Sequence, residues 1–216
     1  MRVLITAGPT YEPLDPVRFL GNRSTGKMGY ALAEAFAAEG ARVTLVSGPS
    51  QLPNPAISLI ETVRVETAAE MFAAASMVAA EADVWVFAAA VADYRPAQVA
   101  AEKIKKSGET LTLELVKNVD IAATLGQQKR AEQFAVGFAL ETTNELAHAQ
   151  DKLRRKNFDL VVLNSLRDAG AGFGHDTNKV TVLDARGQVV NFELQSKADV
   201  ARGLVSLILA RRAVTS

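Results

Sequence analysis

Cysteine is absent from the 216 residues, and with it disulfides, thiolate metal sites and a cysteine nucleophile, a usage that fits a reducing compartment. Histidine is nearly absent. His148 and His175 are the two present, with no serine or acidic arrangement of a triad and no H-E-x-x-H or related metal spacing, so both read as structural or solvent-exposed. Net charge is missing as well, because 24 basic residues balance 24 acidic ones. That balance removes the broad positive field on which nonspecific nucleic-acid binding depends, so no nucleic-acid partner is expected and any anion site must be local. No apolar run approaches the ~20 residues of a membrane span, and Met1–Thr6, with one basic residue, is too short for a signal peptide. The chain therefore reads as cytoplasmic, with no membrane partner. It enters a core strand by residue 3, as either a minimal stand-alone enzyme or a domain cut from a longer polypeptide would.

What is present is ordinary globular material. Apolar residues make up 49% and charged residues 22%, which supports a single domain over residues 1–216 with one normal core. Short β-branched runs at Val3–Thr6, Val43–Val46, Val84–Phe87, Phe134–Phe138 and Leu160–Leu163 alternate with alanine-rich helical stretches. Alternation of this kind predicts an α/β fold, a Rossmann-like doubly wound and mostly parallel sheet with helices on both faces. Met28, Leu32, Ala35 and Phe36 recur at helical spacing, with Gly40 as the stop. Further helices are expected over about 67–81, 119–130, 144–156 and 196–212 from their alanine, leucine and long charged side chains. Val180–Leu183 and Val189–Phe192 flank the turn-rich Asp184-Ala185-Arg186-Gly187, so a C-terminal antiparallel hairpin is expected at the sheet edge. Residues 7–25 and 93–109 fit no regular element. Both follow the carboxyl ends of expected parallel strands, where open α/β sheets bind ligands.

The chemistry-bearing candidates fall in those two loops and just beyond them. Gly21-Asn22-Arg23-Ser24-Thr25-Gly26-Lys27-Met28 fills the first seven positions of the Walker A pattern, but Met28 stands where a magnesium-binding hydroxyl belongs. What survives is a glycine-rich backbone with Ser24, Thr25 and Lys27 ahead of a helix N-terminus, an anion site in general terms, or else a flexible loop with an ordinary N-cap at Ser24 or Thr25. The first turn, Ala7-Gly8-Pro9-Thr10, lacks the G-x-G-x-x-G fingerprint, which weakens an NAD(P)-dependent oxidoreductase reading. Gly170, Gly172 and Gly174 supply backbone freedom. The basic run Glu102-Lys103-Ile104-Lys105-Lys106 is by itself a solvated face, yet it stands above the sheet. Lys117-Asn118 is expected to open a helix, and Lys152 and Lys156 share a helical face, so several cations can converge on a polyphosphate. Asp93 is the best carboxylate for a nucleotide-bound magnesium, with a helix cap as its plainer role.

Ala7-Gly8-Pro9-Thr10, Glu12 to Arg18, the Asn22 to Gly29 loop, Ala88 to Tyr94, Glu102 to Lys106, Lys117-Asn118, Gly137-Phe138, Glu141-Thr142 and Lys156-Asn157 occur in one order across nearly the whole chain. Together they closely resemble the bacterial phosphopantothenoylcysteine synthetases. The resemblance implies a Mg2+-supported ligase that joins 4'-phosphopantothenate to L-cysteine with CTP through an acyl cytidylate, in coenzyme A biosynthesis. It implies Asn22, Arg18 and Lys103 as catalytic residues. The implied nucleotide contacts are Ala88, Ala89, Asp93, Lys103, Val119, Asp120, Ile121, Ala122, Phe138, Lys152 and Lys156. Gly21, Ser24, Thr25, Gly26 and Lys27 form the substrate and phosphate loop, and Asp93 meets the metal through the nucleotide phosphates. A homodimer is implied, with the C-terminal hairpin as a sheet-pairing element, and in many relatives a flavin-dependent decarboxylase half precedes this one. No flavin is expected in this chain. A noncatalytic nucleotide-binding module is the remaining rival.

Overall fold

The computed structural model describes residues 1–106, 108–141, 145–165 and 174–215. In chain order the first half runs β1 (Arg2–Ala7), β2 (Tyr11–Pro13), β3 (Phe19–Gly21), α1 (Lys27–Ala38), β4 (Arg42–Ser47), β5 (Ile60–Arg64), α2 (Ala68–Ala79) and β6 (Val84–Phe87). The second half runs β7 (Tyr94–Pro96), β8 (Leu115–Lys117), α3 (Ile121–Gly126), β9 (Phe134–Glu141), α4 (Glu145–Arg155), β10 (Leu160–Ser165), β11 (Thr177–Asp184), β12 (Val189–Ser196) and α5 (Lys197–Thr215). Eight strands form the main sheet in the order β12-β11-β10-β9-β6-β1-β4-β5. Those from β5 to β10 are parallel, and β11 and β12 close the other edge antiparallel.

Side chains alternate across this sheet as the two-residue strand period requires. Val3, Ile5, Val84, Val86 and Val136 face one way and pack with Leu32, Phe36, Leu204 and Ile208 of α1 and α5. Leu4, Trp85, Phe87, Ala135 and Val161 face the other way, against Met71, Leu125 and Leu153 of α2, α3 and α4. Each such fully buried large side chain contributes about 1.5–3 kcal/mol. The sheet is therefore doubly wound, as the alternation of strand and helix predicts. Among the described residues no helix is long and apolar enough to cross a membrane.

Helix α1 follows the sequence pattern closely. Gly40, at φ 76°, ends it with its amide on the Ala37 carbonyl and the Ala41 amide on the Phe36 carbonyl, the Schellman arrangement. At its other end Gly29 lies so near β1 that a Cβ there would come within 2.4 Å of the Ala7 Cβ.

Several expectations need correction. Residues 7–25 and 93–109 are not without regular structure, since β2 pairs with β3 and β7 with β8 in two small antiparallel sheets. Strand β5, on the edge beside β4, has no counterpart among the expected strands. Lys117 ends β8 instead of opening a helix, and α3 begins only after its N-cap Asp120. It stops at Gly126, where a Cβ would be 2.1 Å from the Lys156 carbonyl oxygen. Gly170, Gly172 and Thr142 lie outside the described residues.

Candidate active site

A cavity of about 370 Å³ opens over the carboxyl ends of β1, β6 and β9. Strand order reverses between β1 and β6, because the chain passes from β1 to β4 on one side and from β5 to β6 on the other. That is the switch point at which open α/β sheets receive ligands.

One wall is the start of α1. Its N-cap, Gly26, is left-handed and no side chain caps the helix; Ser24 Oγ instead accepts the Gly26 amide at 3.3 Å. Neither Ser24 nor Thr25 is thus an ordinary N-cap, and the first helical amides remain available for an anion. Asn22 enters the same wall. Its side-chain amide donates to the Ala90 and Val91 carbonyls at 2.9 and 3.2 Å, which ties the loop to the segment after β6. Lys27 lines the cavity and pairs with Asp176 at 2.6 Å, and this ammonium holds the Asp176 carboxyl below its ordinary value.

The floor and far wall come from separate parts of the chain. Ala88, Ala89 and Asp93 follow β6, Phe138 stands on β9, and Val119, Asp120, Ile121 and Ala122 lead into α3. Asp120 caps α3 by accepting the Ala123 amide at 3.1 Å and pairs with Lys156 at 2.9 Å. Burial pushes its carboxyl up, but the Lys156 and Ala123 bonds outweigh this and the net shift is downward. Lys152 lies on α4, whereas Lys156 lies just past its end, so the two share the cavity without sharing a regular helix.

Three candidates stand elsewhere. Gly21 ends β3, where a Cβ would be 2.6 Å from the Tyr11 ring, so it serves packing. Arg18 bonds Asp15 and the Ile104 carbonyl, and Lys103 is exposed; neither lines the cavity. His148 and His175 are exposed and line no part of it either. Asp93 is exposed at the rim and caps no helix; its carbonyl accepts the Asn118 amide at 2.8 Å. Among the described residues no group of three or more His, Cys, Asp or Glu could hold a metal alone.

Sequence reasoning missed Asn164, Asn178 and Lys197, which complete the wall beside Lys27. Asn178 is 1% exposed and donates to Asn164 at 3.2 Å. Burial pulls the Lys197 ammonium below its ordinary value, and the neighbouring Lys27 charge adds to this. No motif marks these residues, since they meet only through the β10–β11 register and the start of α5. Also missed was the anchoring of residues 10–15. Thr10 accepts the Ala92 amide at 3.0 Å, Glu12 the Ala68 amide at 2.9 Å and Asp15 the Ile104 amide at 3.1 Å, and all three side chains are buried.

Fold and cavity together define an open α/β domain with a crevice, lined by helix amides and lysines, suited to a polyanionic ligand. Over residues 1–211 the chain matches the family described as DNA/pantothenate metabolism flavoprotein C-terminal domain, and it belongs to that family. It is 48% identical over 208 residues to the coenzyme A biosynthesis bifunctional protein CoaBC of Bacillus subtilis (strain 168), covering 96% of this chain and 51% of that protein. A protein of an unknown prokaryotic organism, named cysteine/cysteine sulfinic acid decarboxylase, is 49% identical over 208 residues, or 96% of this chain and 58% of that one. The chain thus spans between about half and three-fifths of the length of these relatives. Among solved structures, the C-terminal domain of a CoaBC protein superposes with a TM-score of 0.81 at 43% identity, covering 96% of this chain and 93% of that one.

Proposed function

We propose that the chain is a phosphopantothenoylcysteine synthetase, a ligase that joins 4'-phosphopantothenate to L-cysteine at the expense of CTP. One observation carries the reading: Asn22, the Ser24–Lys27 turn, Ala88–Asp93, Val119–Ala122, Phe138, Lys152 and Lys156, scattered over 135 positions, line one cavity. The family supports it, since the matching solved domain comes from a protein of coenzyme A biosynthesis. Decarboxylation is not assigned to this chain, and no flavin is invoked.

The pantothenate carboxylate attacks the α-phosphate of CTP, forming an acyl cytidylate and releasing pyrophosphate. Cysteine's amine then attacks the acyl carbon, the amide bond forms, and CMP leaves. The α1 amides, Lys27, Lys152 and Lys156 hold phosphate oxygens and offset the charge that develops on them. Positioning does the remainder, because the nucleotide itself supplies the leaving group. A single rim carboxylate, Asp93, suits Mg2+ carried in by the polyphosphate, an ion that normally needs one or two protein carboxylates. When bound, Mg2+ neutralises phosphate charge. The Ala89 N–H makes no hydrogen bond among the described residues, while the amides of Ala88 and Ala90 are spent on Thr6 and Gly8. We assign Ala89 to the cytosine edge. A homodimer, and a decarboxylase half in the full-length protein, belong to the same proposal.

The test is direct. Protein, 4'-phosphopantothenate and Mg2+ are mixed with CTP or ATP, with and without cysteine, and pyrophosphate and amide product are followed. Pyrophosphate should appear without cysteine, the amide only with it, and CTP should give the larger specificity constant. Nucleotide affinity without pyrophosphate release would make the chain a binding module and overturn the proposal.

A further inference from the structure

We propose that Asp15 is a positioning residue for Lys103, fixing the backbone of the basic run through Ile104 and Arg18. The functional arm of this inference rests on the ligase reading; its structural arm does not.

The Asp15 side chain is fully buried and saturated with donors. Oδ1 accepts the Val17 and Arg18 backbone amides, each at 2.9 Å. Oδ2 accepts Arg18 Nε at 2.9 Å, Arg18 Nη2, and the Ile104 amide at 3.1 Å. Arg18 Nη2 also donates to the Ile104 carbonyl at 2.9 Å. Ile104 is therefore gripped at both its N–H and its C=O by side chains 89 and 86 positions earlier. Its N–H belongs to the peptide unit that joins it to Lys103, so the plane leaving the Lys103 Cα is set by Asp15.

The surrounding chain makes this grip consequential. Between the β7 and β8 strands, among the described residues, segment 98–113 is tied to the rest of the molecule by hydrogen bonds at two places: the Ala100 amide on the Leu14 carbonyl at 3.0 Å, and Ile104. Lys103 lies between these ties. A carboxylate that only closed the 14–18 turn would need the Val17 and Arg18 amides; the two bonds to Ile104 serve nothing inside that turn. The Arg18 guanidinium holds the Asp15 carboxyl far below the usual carboxylate range against the opposing effect of burial, so the acceptor stays ionised.

Asp15→Asn places an NH2 group where donors now converge. Deuterium uptake by peptides spanning 98–106 should quicken by roughly tenfold, the scale of losing one charge-assisted hydrogen bond, while core strands keep their protection. Turnover should fall by a similar factor. In a Lys103→Gln background, Ile104→Pro, which spares the Asp15–Arg18 pair, should change turnover less than about twofold, because its effect passes through the lysine. Ile104→Pro removes the gripped N–H and leaves the Asp15–Arg18 pair intact, so it should speed uptake in the same segment even if Asp15→Asn fails to fold. Wild-type uptake in the folded variants, multiplicative losses in the double variant, or full turnover by Lys103→Gln would each overturn the proposal. Absence of pyrophosphate release by the wild-type protein would instead sink the ligase reading, and the exchange measurement would still decide whether Asp15 orders the segment.

Discussion

Asn22 shows how a residue can be legible as a candidate while its geometry is not. A glycine-flanked loop ahead of a helix marks it, but only the structure shows its amide committed to the Ala90 and Val91 carbonyls. In Asn22→Asp a carboxylate would face those two oxygens and an intermediate that already carries phosphate charge. Product formation should fall roughly 10²-fold or more, with pyrophosphate release better preserved and acyl cytidylate accumulating. Rapid quench with mass spectrometry reads this, and equal loss of both half-reactions would assign Asn22 to the whole loop. Lys103→Gln should lower turnover by a similar roughly 10²-fold if the lysine meets developing charge. Asp15 stood inside the Glu12 to Arg18 run that carries the resemblance, but its role was not legible there, because burial and a partner 89 positions away are tertiary properties. Its depressed pKa gives a signed prediction: the stability it contributes is present above the ordinary 3.8 and is lost as pH falls through the folded value. The urea-midpoint difference between wild type and Asp15→Asn should hold from about pH 7 to about pH 5 and shrink below about pH 4.

Among elements, legibility followed length and burial. The five buried parallel strands could be read as β-branched apolar runs and α1 by its repeated apolar period, and the structure extends most of the strands by one to three residues. Strands β2, β3, β7 and β8 have three residues each, too few to show a period of two. Ile60-Glu-Thr-Val-Arg in β5 is half-exposed and mixed in polarity, so edge pairing was not readable from it. The placement of α1 over the cavity depends on Gly29, and here two magnitudes compete. Alanine is favoured over glycine inside a helix by about 1 kcal/mol, whereas driving a methyl to 2.4 Å from the Ala7 Cβ is overpacking of the kind that costs about 1–3 kcal/mol. Gly29→Ala should therefore destabilise, lower the melting temperature and weaken nucleotide binding as the helix start lifts from β1. A rise in melting temperature would show that α1 has room to shift. Asp120→Ala should cost about 1 kcal/mol by uncapping α3, and Asp120→Asn should restore most of it, since asparagine caps equally well.

For the whole molecule, the doubly wound sheet and its crevice could be read from strand and helix alternation, whereas a homodimer was implied by the resemblance alone, because assembly depends on what the folded surface leaves uncovered. The sequence pointed to the C-terminal hairpin, and β12 does form a sheet edge that exposes Val189 and Leu194. The two small sheets gather more apolar surface. Val17 is 61% exposed, and Phe19, Tyr94 and Leu115 are also exposed on elements where β2 packs against β7. We propose these side chains as the contact face of the homodimer. A second copy seated there would also account for Arg18 and Lys103 lying outside the cavity of their own chain, if sites are completed across the pair. Sedimentation equilibrium should therefore give the mass of two chains for the wild type. Phe19→Glu combined with Leu115→Glu should give the mass of one and lose ligation, because burying two carboxylates without partners opposes association. Leu194→Lys on β12 should leave the dimer intact. The reverse pattern, a monomer from Leu194→Lys and a dimer from the double variant, would move the interface to the hairpin and leave the apolar face of the small sheets to a different partner.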